Sequence, residues 1–344
     1  MIGSPHVVSE RNSVRLVMAK VMAALVPATL AHAWFFGPGI WVSLLLCLLF
    51  GLFFEAFALG MRGYPLKPFL TDGSVLLTGW LLALSLPTLA PWWLYAVGML
   101  FAVLVAKHLY GGLGQNLFNP AMVGYAVLII SFPTHMTQWP APGDLAIHVP
   151  GLAEAFDLVF AGQGSISPDA YTSATPLDSL RTQLLNGKTA AEAMTQPPFG
   201  YFGGKGGEMV AVMVLLGGVL MLMNGVITWR IPAAFLGGIA LTALVMQLID
   251  PTRQAGPLFH LFSGAAMLGA FFIATDPVSA STTPRGQLIY GGLAGMLTVL
   301  IRVFGGYPDG VAFSVLLLNM AVPLIDTYTQ PRVFGASAPR RPRV

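Results

Sequence analysis

Thr175 is the centre of the segment that stands out most in this chain. It stands in the run Asp169-Ala170-Tyr171-Thr172-Ser173-Ala174-Thr175-Pro176-Leu177-Asp178-Ser179-Leu180-Arg181. The pattern predicts a helix start. Thr175 suits the N-cap, Pro176 the first helical position where a missing N–H costs nothing, and Asp178 the third position of a capping-box-like arrangement. Leu177, Leu180, Leu184 and Leu185 are expected to form an apolar face, and Gly187 to end the helix. Capping alone accounts for this spacing. The same helix N-terminus can also hold a phosphate, because its unpaired N–H groups and dipole favour an anion. A second set of candidates is ionisable residues in apolar surroundings: Lys20, Glu55, Asp72, Lys107, Asp276, Arg302 and Asp326. Charge inside a membrane is costly and points to function, here an ion or electron path. Lys20, Lys107 and Asp326 lie near expected helix ends, where side chains can snorkel to the interface. Glu55, Asp72 and Asp276 are the path candidates: Glu55 is deepest in its apolar run, and the two aspartates begin or end short segments.

The elements that must position these residues follow from composition. Of 344 residues, 56% are hydrophobic and 9% charged, where soluble chains carry roughly 25% charged residues. That excludes a soluble enzyme, whose surface needs the missing charge. Ten of the 31 charged residues lie between Thr134 and Glu208, and seven more in residues 1–15 and 330–344. This is the distribution of a multi-pass membrane protein with one polar insert and a lipid bilayer as its main surroundings. A single cysteine, Cys47, excludes an internal disulfide or a cluster ligated by this chain alone. No two histidines fall at helical metal-site spacing, and no basic stretch is long enough to track nucleic-acid phosphates.

Uncharged runs at 21–54 and 73–106 accommodate two helices each, breaking at Gly37-Pro38-Gly39 and around Pro87 and Pro91. A further span runs from about Pro120 to Pro133, and five more occupy 209–229, 231–249, 254–275, 286–301 and 310–325. The expected fold is therefore all-α, an integral membrane protein of about ten transmembrane helices. The expected divisions are an N-terminal segment 1–15, a first five-helix repeat 16–133, an insert 134–208, a second five-helix repeat 209–327 and a basic tail 328–344. Twelve Lys and Arg fall on the side of both termini. Only Arg253 and Arg302 fall in short loops on the other side. The positive-inside rule then puts both termini in the cytoplasm and the acidic insert outside. Ala31-His32-Ala33 resembles a signal-peptide cleavage site, but the apolar run continues to Phe36, and the first helix is expected to be retained.

The halves resemble each other. Asp72-Gly73 opens a short apolar run ending at Pro87; a full span then leads to Lys107 and on to Asn119-Pro120. Ser263-Gly264 opens another ending at Asp276-Pro277; a full span then leads to Arg302 and on to Asn319. Short, Gly/Pro-interrupted segments at matching places predict inverted repeats with broken helices. That pattern alone equally suits a secondary transporter or channel binding a small solute between the repeats.

The segment Asp169-x-x-Thr172-Ser173-Ala174-Thr175 resembles the signature at which a flavin transferase attaches FMN to threonine through its phosphate. With Gly111-Gly112-Leu113-Gly114-Gln115-Asn116-Leu117-Phe118-Asn119-Pro120, Ala274-Thr275-Asp276-Pro277 and Phe304-Gly305-Gly306-Tyr307-Pro308, residues 15–330 resemble the D-subunit family of Rnf electron-transport complexes. That family is related to the B subunit of the Na⁺-pumping NADH:quinone reductase. The family usually has Gly where this chain has Ser173. The resemblance implies an inner-membrane electron-transfer subunit of an ion-translocating ferredoxin:NAD⁺ oxidoreductase, coupling electron transfer to Na⁺ or H⁺ transport. It implies covalent FMN on Thr175 at the periplasmic side, with Asp169, Thr172, Ser173 and Ala174 around it. It further implies a second, non-covalent flavin such as riboflavin. The implied partners are other Rnf subunits carrying iron–sulfur clusters and a second covalent flavin, and a flavin transferase for maturation.

Overall fold

A computed structural model describes residues 13–162, 167–307 and 309–331. Most of the expected N-terminal segment and the basic tail with Arg332, Arg340, Arg341 and Arg343 lie outside the described residues.

The chain is an all-α membrane protein. Helices α1 (Val14–Phe36) and α2 (Gly39–Met61) are separated at Gly37, whose φ of 88° only glycine adopts freely. A short α3 (Leu66–Leu70) leads to α4 (Ser74–Ser85). Helix α5 (Trp92–Leu100) continues as a π-helical stretch, Phe101–His108, and α6 spans Pro120–Ser131. The insert contains α7 (Pro133–Met136), β1 (Trp139–Pro140), α8 (Leu152–Ala161), a 3₁₀ turn at Pro168–Ala170, β2 (Thr172–Ser173), α9 (Pro176–Leu185) and α10 (Ala190–Met194). Then come α11 (Gly207–Met223), α12 (Arg230–Ile249), α13 (Pro257–Phe262), α14 (Ala266–Leu268) running into a π-helical turn Gly269–Ile273, α15 (Pro284–Phe304) and α16 (Val311–Thr329).

Among the described residues, six stretches are long and apolar enough to cross a membrane: 14–36, 39–61, 66–85, 230–249, 284–304 and 311–329. The stretches 92–108, 120–131 and 207–223 are apolar but shorter, and 257–273 is broken at Ser263–Ala265. Local chemistry sets the starts. Asn119 and Thr283 cap α6 and α15 through their side chains, each followed by proline at the first helical position.

Small residues let the long helices approach closely, as expected where lipid provides no hydrophobic drive between them. A Cβ on Gly295 would lie 2.0 Å from the Phe235 carbonyl oxygen, and one on Gly217 2.1 Å from that of Ala24. The first contact joins α15 to α12, and the second joins α1 to α11. Two asparagines at matching points of the halves also meet. With its amide oriented to satisfy both ends, Asn319 accepts from the Asn119 N–H at 3.0 Å and donates to Tyr290 Oη at 2.9 Å.

The two helix breaks lie towards opposite ends of α1, which is about 34 Å long. Gly73 (φ 83°) packs against Met18 and Met22 in the first turns of α1. Gly264 (φ 61°) lines a cavity that also reaches His32 and Phe36 in its last turns. The insert packs at that second end: Gly143 N–H donates to the Phe35 carbonyl at 2.8 Å, and Ala190 N–H to that of Thr252 at 2.7 Å. Leu177, Leu180, Ala190, Ala193, Phe199, Ala255 and Phe259 form a separate small core there, with Leu184 partly buried against it. Leu185 is 79% exposed, so the apolar face of α9 is narrower than the leucine spacing suggests.

Candidate functional site

Thr175 caps α9 as its sequence predicts. Its extended backbone (φ −64°, ψ 157°) turns the chain into the helix, and its Oγ1 accepts from the Asp178 N–H at 3.3 Å. Pro176 follows at the first position, and Gly187 (φ 83°) lies just past the helix end. The hydroxyl is half-buried, held beside a two-stranded ribbon in which Trp139 pairs with Ser173 and Pro140 with Thr172. Among the described residues no residue other than glycine has positive φ. Ser173 therefore needs none of glycine's conformational freedom, and the departure from the usual glycine brings no backbone strain.

Below Thr175 lies a cavity of about 230 Å³, far more than the roughly 10–15 Å³ one water requires. Ser173, Ala174 and Thr175 line it from the insert, while His32, Tyr125 and Met267 line it from α1, α6 and α14. Its walls thus come from the insert and from helices before and after it. Lys205 also lines it, with its ammonium 3.3 Å from the Asp144 carboxylate. Gly204 sits so tightly on Pro176 that a Cβ would approach its ring to 2.0 Å. That contact seats the backbone next to Lys205 on the first residue of α9.

Asp169 and Thr172 take no part in lining the cavity. Asp169 is exposed on the 3₁₀ turn, and Thr172 spends its hydroxyl on the Pro168 carbonyl at 2.8 Å.

Arg302 is buried in the last turn of α15 and not in a loop. It donates to Asp309 through Nε and Nη2 (3.1 and 3.0 Å), to the His260 carbonyl at 2.6 Å and to the Ser263 carbonyl at 3.0 Å. The other Asp309 oxygen accepts from the Ala265 N–H at 2.7 Å. This fork closes the break at Gly264, where a Cβ would lie 2.5 Å from Asp309 Oδ2 and 2.8 Å from Leu177 Cδ1. The break at Gly264 is therefore in direct contact with α9.

Towards the other end of α1, the structure joins two of the three path candidates. Glu55 is buried, its Oε1 2.8 Å from Lys107 Nζ, and its Oε2 3.0 Å from His108 Nε2 but off hydrogen-bonding alignment. Lys107 also donates to Ser74 Oγ at 2.9 Å, and Ser74 donates to Asp72 Oδ1 at 2.7 Å. Lys107 does not snorkel: it is 3% exposed, turned inward by the π-helical stretch, which places Lys107 and its neighbour His108 on one carboxylate. Asp276 stands apart, half-buried after the second π-helical turn, and accepts from Ser279 Oγ at 2.8 Å. Asp326 holds Ser281 and Thr282. Sequence reasoning missed His32, Lys205, Ser263 and Asp309 at the cavity. Only Arg302, an arginine closing an apolar run, signalled that a buried acceptor had to be close.

The model of the NQR2, RnfD, RnfE family matches residues 1–335. The chain belongs to that family. It is 51% identical to the D subunit of the ion-translocating oxidoreductase complex of Aeromonas hydrophila, over 97% of this chain and 98% of the relative. It is 49% identical to the protein of the same name in Vibrio cholerae, over 96% and 98%. The corresponding protein of Escherichia coli O9:H4 is 48% identical over 96% and 97%. Members of the NQR2, RnfD, RnfE family thus share nearly the whole length of this chain, insert included.

Proposed function

We propose that this chain is the membrane electron-transfer subunit of an ion-translocating ferredoxin:NAD⁺ oxidoreductase of the Rnf type, carrying FMN on Thr175. The observation that carries the reading is the cavity that opens directly at Thr175, with walls from the insert and from helices before and after it. Attachment joins Thr175 Oγ1 to the flavin phosphate. With a flavin dinucleotide as donor, the bond between its two phosphates breaks, and the departing nucleoside monophosphate carries off the hydroxyl proton. The α9 N-terminus and Lys205 would hold the phosphate charge, and the apolar and aromatic wall would hold the ring. Bound FMN supplies electron transfer through its isoalloxazine ring. Around it, this chain's residues exclude bulk water, fix the phosphate and confine the ring near the partner surface.

Iron–sulfur clusters and a second covalent flavin belong to partner subunits, since one buried cysteine cannot ligate a cluster. A second, non-covalent flavin such as riboflavin is part of the same reading, as is a flavin transferase for maturation. Glu55, with Lys107, His108, Ser74 and Asp72, is the proposed ion-handling group, with Asp276 a separate station on an ion or electron path. Coupling is to Na⁺ or H⁺. The placement of helix breaks towards opposite ends of α1 supports two inverted repeats, 16–133 and 209–327. The distribution of bases supports an inner-membrane protein with cytoplasmic termini and a periplasmic insert 134–208.

The test is a denaturing gel of the purified chain viewed under ultraviolet light. The wild type, from cells containing the transferase, is expected to give a fluorescent band that disappears in Thr175→Ala. A dark wild-type band sinks the flavin assignment and leaves the solute-transporter alternative as the better account of the cavity.

A further inference from the structure

Helix α8 belongs to the insert but packs with the transmembrane body. Its Ala155 and Val159 are buried in the same core as the spanning helices, and the helix lies on α2. The small core under α9 and α10 is a separate one. Just before α8, Val149 sits on the turn between α1 and α2, where a Cβ on Gly37 would lie 3.0 Å from its Cγ1. So α8 lies beside the ends of two spanning helices. With ten residues it is about 15 Å long, about half of what crossing a bilayer requires. Three sectors follow one another around its axis at the helical repeat. Ala155, Leu158 and Val159 face the core. Leu152, Phe156 and Phe160, spaced one turn apart, come next and stay 50%, 37% and 51% exposed. The two phenyl rings stack nearly parallel, with centroids 6.1 Å apart. Asp157 and Glu154 lie in the third sector, Asp157 exposed and Glu154 holding the helix start through the Gly151 N–H.

We infer that α8 is an interfacial helix whose Leu152, Phe156 and Phe160 face rests on the lipid of the leaflet on the insert's side. The order of the sectors identifies the occupant. A helix lying along the membrane surface at the edge of a bundle meets protein on one side, acyl chains below and water above. The core, apolar and acidic sectors of α8 run in that order. A helix half-buried in protein and otherwise facing water needs no exposed apolar row between its core and acidic sectors. The neighbouring surface is already one that lipid covers, because α2 exposes Leu45, Leu49, Phe53 and Phe57 along its length. No lysine or arginine lies in α8, so the contact is with acyl chains and not an attraction to anionic headgroups. Since Ala155 and Val159 are locked into the transmembrane core, the contact fixes the depth of this edge of the bundle. It holds whether or not Thr175 carries a flavin.

The experiment uses the full-length chain in phosphatidylcholine vesicles, and then the whole complex in the same lipid. The sole native cysteine, Cys47, is fully buried, so a thiol-reactive nitroxide labels only an introduced cysteine. Labels are placed at Phe156→Cys, Phe160→Cys and Leu152→Cys, with Asn186→Cys on the exposed turn after α9 as the water reference. Collisions with oxygen, which concentrates in lipid, are compared with collisions with a water-soluble nickel chelate. The oxygen-to-nickel ratio is expected to be several-fold higher at 152, 156 and 160 than at 186, in the chain alone and in the complex. Leu152→Cys keeps both phenyl rings and decides the matter if either phenylalanine variant fails to fold. A ratio at 152, 156 and 160 equal to that at 186 would overturn the inference. So would loss of collisions with both probes on passing from the chain to the complex, which gives this face to a partner subunit.

Discussion

Lys107 and Arg302 occupy matching places in the two halves, and each reaches back to the glycine that breaks a helix. Lys107 binds Ser74 beside Gly73, and Arg302 binds the Ser263 carbonyl beside Gly264. The bonds differ in kind. Arg302 spends its fork on one carboxylate and two carbonyls, and Asp309 ties off the other side of the break through Ala265. A guanidinium cannot lose its proton in a protein, so that end is a fixed frame. Lys107 is a point charge on a carboxylate shared with an imidazole, and Glu55 Oε2 keeps an unmet acceptor. One break is held by a fork with every contact made, and the other by a single buried ion pair whose second carboxylate oxygen is unmet.

Removing Arg302 should show the largest effect. Arg302→Leu strands a partly buried carboxylate and two carbonyls, at about 3–5 kcal/mol, and thermal unfolding in detergent should register a large fall in Tm. Arg302→Lys, which keeps charge but not the fork, should recover only part of it. Equal Tm values for wild type and Arg302→Leu would erase the contrast between the two ends.

Glu55→Gln should come next. It leaves Lys107 without its anion, at a similar cost of about 3 kcal/mol. Pairing it with Lys107→Met should restore most of the loss, because a buried ion pair replaced as a unit is often near neutral. Additive losses in the double variant would show that the two side chains act independently. In vesicles of the whole complex, Glu55→Gln should abolish redox-driven ion uptake while the Thr175 band persists.

Ser74→Ala tests a single contact. Losing one hydrogen bond to a buried ammonium should lower stability by about 1.5 kcal/mol, read from the same unfolding curves. A change as large as that of Glu55→Gln would mean the serine, not the carboxylate, anchors Lys107.

How far these clusters could be read from sequence differs between them. Thr175, Pro176 and Gly187 announce a helix start and end through local chemistry, and the folded helix obeys them. Breaks at Gly37, Gly73 and Gly264 were legible for the same reason. The partner of each buried charge was not, because Lys107 meets Glu55 across 52 residues and Arg302 meets the His260 carbonyl across 42. Lys107 read as a snorkelling residue because an α-helical register carries no sign of the π-helical stretch that turns it inward. His32 and Ser263 were invisible, since a lone histidine or serine in an apolar run carries no sign of what folds around it.

The smallest expected effect is a control at the surface. The Gly151 N–H, and then His148, hold the Glu154 carboxyl below the usual carboxylate range. Its small contribution should be present above that range and fade as pH falls through the depressed value. Glu154→Gln should flatten that acid limb of a Tm-versus-pH curve slightly. A shift comparable to those of the buried clusters would show that exposure does not separate them.

Helix α1 packs chiefly on α11, not on the helices that follow it in the chain, and Gly217 seats directly on the Ala24 backbone. At ribosomal speeds of roughly 5–20 residues per second, α11 follows α1 only after roughly 10–35 s. Through that interval α1 waits in the bilayer without its main neighbour, while the whole insert is translated. Assembly of the two halves is therefore sealed late. A chain that stops before α11 leaves α1 without its largest packing surface, a target for membrane quality control.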